Sequence, residues 1–178
     1  MSDTSGQACA LTVMTPIESG KEAELRVYLE ALPRRPSPLA KLERTHFARW
    51  VIVPDFVNDP AQPEEDHLSS PYLVFTSNFD GPTDSYLDEL CDRLAPEARE
   101  IWGRCAGCPA SAAGRELKEY LLQNRIETGY FVAAYPDASV AMVKRSLEVR
   151  ERMIDLAVRA QSMTAAELQQ AFARELGG

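Results

Sequence analysis

Thr45-His-Phe-Ala-Arg-Trp-Val-Ile-Val53 and Pro71-Tyr-Leu-Val-Phe-Thr-Ser-Asn-Phe-Asp80 are the two stretches that decide the fold. Both are rich in the β-branched and aromatic residues that favour strands. A further strand is predicted before them, at about 8–17, and another after them, at about 128–135, with helical patterns between. The resulting order is strand, helix, two strands, helix, strand, helix. It predicts one antiparallel sheet with helices on one face.

This order is that of the split βαβ, or ferredoxin-like, βαββαβ arrangement within the α+β class. We predict a flexible lead-in at 1–7, the ferredoxin-like domain at 8–160 and an amphipathic C-terminal helix at 161–178. The face away from the helices would display either the set with Trp50 and Phe75 or the set with Arg49 and Val74. Large apolar groups on such a face favour covering by a second copy, which would close a dimeric α+β barrel around a cavity.

Composition narrows the possible partners. The 178 residues carry a net charge of -8, which argues against a broad nucleic-acid or anionic-membrane surface. No apolar run reaches the roughly 20 residues of a membrane-spanning helix. The N-terminus does not read as a secretion signal, so the four cysteines are expected to be reduced thiols and the protein to be cytoplasmic.

Three short segments carry a family resemblance: Thr45-His-Phe-Ala-Arg49, Ser77-Asn-Phe-Asp-Gly81 and Ile101-Trp-Gly-Arg-Cys105. They resemble ferredoxin-like domains of bacterial proteins related to peroxidases and oxygenases. Those domains are similar in fold to the dimeric α+β-barrel superfamily. The resemblance implies a homodimer that acts on, or binds, a small apolar molecule. It leaves a haem cofactor and no cofactor equally open, and no haem-ligand motif can be matched.

His46 and Arg49 are the candidate catalytic residues, because each is a polar side chain within an apolar strand. A histidine with a near-neutral pKa can act as a general base, whereas Arg49 can hold a substrate carboxylate. Each also has a structural alternative: a hydrogen-bonded core or interface histidine, and an Arg–Asp ion pair with Asp80 or Asp84. The chain has only two histidines, which excludes a His-rich metal site within one chain.

The candidate substrate-binding residues are Trp50, Phe75, Asn78, Asp80 and Tyr130. For the asparagine and the aspartate the alternative is a turn or a helix cap. For the tyrosine the alternative is strand packing with a solvated hydroxyl.

Three functions therefore stay open. The first is a small-molecule enzyme of the dimeric α+β-barrel type, in oxidative or tailoring chemistry on an apolar substrate. The second is a non-catalytic ligand-binding or assembly module that pairs through its open sheet face. The third is a thiol-redox protein that uses Cys105-Ala-Gly-Cys108, although this pair follows a helix, where the dipole disfavours a thiolate.

Overall fold

The computed structural model describes residues 3–176. It divides the chain into two compact units, of which the first ends at Asp137 and the second begins at Ala138. This division by compactness does not test the domain limits predicted from the sequence. Each unit is described by itself.

The first unit is an α+β structure with an open antiparallel sheet, which confirms the predicted class. Two short 3₁₀ turns, Pro38–Lys41 and Trp102–Arg104, lie between its main elements. Its strands are β1 Thr4–Ser5, β2 Ala8–Pro16, β3 Thr45–Val53, β4 Tyr72–Asp80 and β5 Arg125–Ile126, and its helices are α1 Glu22–Ala31, α2 Thr83–Arg93, α3 Ala95–Ile101 and α4 Gly114–Gln123.

The sheet is built on the long strand β4. β2 pairs with one edge of β4 and β3 with the other, both antiparallel. The free edge of β2 is shared by two short strands, β1 and β5. The order is therefore β1-β2-β4-β3, with β5 beside β2.

The core lies between one face of the sheet and helices α1 to α4. Phe75, fully buried, has its ring centroid 5.3 Å from that of Trp50 and 5.4 Å from that of Trp102. Phe79 stacks on Tyr86 of α2 at 3.7 Å. Alternation along β3 and β4 thus sends these aromatic side chains toward the helices and leaves the other face of the sheet uncovered.

The prediction of a strand at 128–135 is wrong. Pairing stops at Ile126, which lies opposite Thr12, and 128–135 is irregular. Continuing the same antiparallel register would place residue 130 opposite Ala8, but β1 already pairs there, with Ser5 opposite Ala8. The N-terminal residues therefore occupy the edge that the longer strand would need. Part of the predicted flexible lead-in, Thr4–Ser5, is a strand.

The second unit is a pair of helices, α5 Val140–Ala160 and α6 Ala165–Leu176. Leu156 of α5 and Ala171 of α6 are buried, and an ion pair joins Arg159 to Glu175 at 2.7 Å. Apolar side chains of α5 are also exposed, at Val143, Leu147 and Ile154. Within residues 3–176, no helix combines the length and apolarity that crossing a membrane requires.

Candidate functional site

The uncovered sheet face, called here the open face, is an ordered array of side chains from three strands. In the register of the sheet, Arg49 of β3 lies beside Thr76 of β4, which lies beside Thr12 of β2. Phe47 and Asn78 form the neighbouring row on one side of this polar row. Exposed apolar residues complete the open face: Met14, Phe47, Val51 and Ile126.

A depression of about 510 Å³ lies in the middle of the open face. Its lining includes Thr12, Phe47, Arg49, Thr76 and Asn78, and it is called here the Arg49 depression. Its volume falls within the range of small-molecule pockets, roughly 300–1,000 Å³. Hydroxyl, amide and guanidinium groups line it beside an aromatic ring, so it offers both polar and apolar contacts to a ligand.

Arg49 is exposed and makes no hydrogen bond or ion pair with the residues of the 3–176 range. The predicted structural alternative, a pair with Asp80 or Asp84, is not formed. Asp80 is bonded to His46, and Asp84 lies 2.8 Å from Lys118. The guanidinium is therefore an uncompensated positive charge on the open face.

His46 occupies a β-bulge at the start of β3. Thr45 lies opposite Phe79 and Phe47 opposite Asn78, so His46 is the extra residue between them. Bulges redirect a side chain out of the regular alternation. Here the imidazole Nε2 lies 2.7 Å from Asp80 Oδ1, and both side chains are half-buried. An imidazole that donates through Nε2 to this carboxylate keeps Nδ1 as its basic nitrogen when neutral.

The structure separates the other predicted site residues. Asn78 and Asp80 belong to the open-face alternation of β4, whereas Trp50 and Phe75 lie on the opposite face, in the core. Tyr130 lies in the irregular segment after β5 and is 85% exposed. The sequence analysis missed three residues of the site, Thr12, Phe47 and Thr76. Phe47 could have been found, because it lies two residues from Arg49 and therefore on the same face of the strand.

Cys105 and Cys108 have the surroundings of structural thiols. Burial is the main cause that raises the pKa of each to about 11. Cys105 also accepts a hydrogen bond from the Thr15 hydroxyl at 3.3 Å, within the core. Neither has the electropositive, accessible setting that activates a thiol. The geometry therefore does not favour the thiol-redox function.

The side chains of the described residues decide whether a metal ion or a haem has ligands here. Among the described residues, no group of three or more His, Cys, Asp or Glu could hold a metal ion. Haem requires an axial ligand that faces the porphyrin pocket. His46 turns its Nε2 to Asp80 and does not line the Arg49 depression. His46 is therefore not placed to act as the axial ligand of a haem bound in the Arg49 depression.

Comparison of the chain with protein-family models, with curated proteins and with solved structures gave no match. The candidate site is therefore defined by its own geometry: a polar row centred on Arg49, an exposed aromatic ring beside it, and a His–Asp pair at the end of the same strands.

Proposed function

We propose that this protein is a small-molecule-binding module that assembles as a homodimer through its open face. The observation that carries the proposal is the exposure of Phe47, 76% on a regular three-stranded face, beside the uncompensated charge of Arg49. Exposed apolar side chains that form a contiguous patch mark interaction or ligand sites. Met14 and Val51 flank Val74 on the other side of the Arg49 row, so exposed apolar side chains border the polar row on both sides.

The sheet order supports a ferredoxin-like interpretation of the fold. Read from the β3 edge, the strands lie in the order β3-β4-β2-β5, and every pair is antiparallel. This is the spatial order expected for a split βαβ unit with a short last strand. In this interpretation β1 is an addition that caps part of the β2 edge.

The size of the open face predicts a reversible dimer. Three strands of nine residues each span about 26 Å by about 14 Å, or about 370 Å² of planar area per copy. Stable interfaces bury roughly 800 Å² of accessible surface per partner, and the planar area of this face is less than half of that, so we expect the pairing to be weak. We therefore expect dissociation on dilution in the micromolar range.

The position of Arg49 also selects how two copies pair. A two-fold axis between facing sheets lies parallel to them, and its two limiting directions are along the strands and across them. An axis across the strands places β3 over β3 and brings the two Arg49 side chains, each central in its strand, together. An axis along the strands places β3 over β2 of the other copy and separates the charges. Because like charges repel, we propose the second arrangement.

Sedimentation equilibrium over a range of concentrations tests the pairing. Replacing Phe47 by Asp puts a carboxylate into the open face, and we expect it to weaken the dimer at least tenfold. Phe56→Asp is the matched control, because Phe56 is also exposed, at 55%, but lies in the loop after β3. A monomeric wild type, or equal dimerisation of both variants, would contradict the proposal.

The His46–Asp80 pair favours a second candidate function, a small-molecule enzyme. Asp80 orients the imidazole, and the free Nδ1 can accept a proton from the hydroxyl group of a hydroquinone-type substrate. The resulting hydroquinone monoanion would transfer two electrons to molecular oxygen. Its remaining hydroxyl proton and the proton returned by the imidazolium complete the products, a quinone and hydrogen peroxide. Oxygen uptake with a panel of hydroquinones tests it. His46→Gln should abolish the protein-dependent rate with circular dichroism unchanged, and no wild-type rate, or an equal rate in the variant, would reject it.

A further inference from the structure

We propose that the ligand of the Arg49 depression is an organic acid with an aromatic or other flat apolar body. This inference rests on the proposed function of the open face and specifies the chemical class that the site takes. The acid group would pair with Arg49, and the apolar body would lie against Phe47.

The charge of Arg49 defines the acid group of the ligand. Arg49 is exposed, and no described carboxylate pairs with it. The nearest acidic side chain in the open-face alternation, Asp80, is engaged by His46. Residues that neighbour Arg49 across the strands are the hydroxyl side chains Thr76 and Thr12. A planar guanidinium flanked by neutral hydrogen-bonding groups matches a bound carboxylate, which can accept two parallel hydrogen bonds.

The apolar surroundings then define the rest of the ligand. Phe47 and Val51 lie two residues from Arg49 on the same strand face, so each is about 7 Å away along the strand. Their exposed fractions are 76% and 43%. A free inorganic anion would leave both in contact with water. An acid with one or two rings would cover Phe47, which lines the depression, and about 510 Å³ has room for such a body.

Dimer assembly strengthens the same conclusion. When the open face is covered, Arg49 loses water, and a charge removed from water without a partner is strongly disfavoured. A second copy brings the same open-face residues, and its three long strands contribute no carboxylate that is available to pair with Arg49. The ligand's carboxylate therefore supplies the missing negative charge, and ligand binding and pairing should reinforce each other.

Isothermal titration calorimetry with 1-naphthoate tests the inference. The neutral analogue 1-naphthalenemethanol tests the acid group, and inorganic phosphate tests an anion without an apolar body. We expect Arg49→Gln to raise the Kd for 1-naphthoate at least about tenfold, the loss typical of a charge-assisted hydrogen bond. Arg99→Gln, at an exposed arginine of α3, is the matched control and should leave the Kd unchanged.

The outcomes separate this inference from the proposed pairing. Naphthoate binding that depends on Arg49, with weaker binding of the neutral analogue, supports the inference. Equal binding by Arg49→Gln, or inorganic phosphate that competes as well as naphthoate, overturns it. The oligomeric state is measured on the same samples: a dimeric wild type that binds no naphthoate overturns this inference alone, whereas a monomeric wild type overturns the pairing.

Discussion

Two phenylalanines on opposite faces of the sheet allow a sharp test of which face is the core. Phe75 is fully buried, with Trp50 and Trp102 at ring-centroid distances of 5.3 and 5.4 Å. Truncating it to Ala removes the ring from the centre of this cluster and leaves a cavity. Such a change costs about 3–5 kcal/mol, out of a typical stability of about 5–15 kcal/mol.

Urea unfolding, followed by circular dichroism, measures this cost. Phe47→Ala is the matched control, because its ring is 76% exposed on the open face. At a concentration where the protein is monomeric, we expect it to change the free energy of unfolding by only about 0.5 kcal/mol or less. Equal losses in the two variants, or a larger loss for Phe47→Ala, would refute the assignment of the two faces.

Three further predictions concern single groups. The rate at which iodoacetamide alkylates Cys108 should rise about tenfold per pH unit from pH 7 toward the thiol's pKa of about 11. Only about one thiol in 10⁴ is ionised at pH 7, and the thiolate is the reactive form. A rate that levels off below pH 9 would show that burial does not raise this pKa. Asp55 should titrate with a pKa of about 2, because its carboxylate accepts hydrogen bonds from Leu68, His67 and Phe56. These bonds then order the loop fully above about pH 4, and the order is lost as the pH falls through 2. An NMR titration of Asp55 with a midpoint near pH 4 would contradict this prediction. His46→Gln and Asp80→Asn, combined in a double-mutant cycle, should couple by about 1 kcal/mol, since the two side chains are in contact and only 19% and 13% exposed; additive effects of the two substitutions would contradict this prediction.

The central part of the fold could be predicted from alternation. β3 and β4 lie almost where the sequence places them, and the open face carries the set that includes Arg49 and Val74, one of the two predicted alternatives. Alternation fixes which residues share a face, but it cannot show which set faces the helices. Trp50 and Phe75 were therefore candidates for a ligand site, although they form the core.

Long-range competition for one sheet edge explains the largest error. The segment 128–135 has strand composition, but β1 occupies the part of β2 that it would need. The polar N-terminus gives no period-two signal, because a two-residue strand is too short to show one. Only the three-dimensional pairing decides between the two segments.

Local motifs gave mixed results for a similar reason. Two segments match the capping-box pattern, Ser19 to Glu22 and Thr164 to Glu167. The second forms the motif, since the Glu167 carboxylate accepts from the Thr164 backbone N–H at 2.8 Å. The first does not, because α1 begins only at Glu22 and Lys21 is its N-cap. The bulge at His46 also escaped prediction, and it brings the imidazole to Asp80. Such contacts depend on how neighbouring segments meet.

Hydroxyl-radical footprinting at low and high protein concentration tests most directly whether a second copy covers the open face. If the open face is the dimer interface, oxidation of Phe47 and Met14 falls as the concentration rises, whereas oxidation of Phe56, in the loop after β3, stays constant. Oxidation of Phe47 that stays constant across the range in which the protein associates would show that the second copy does not cover the open face.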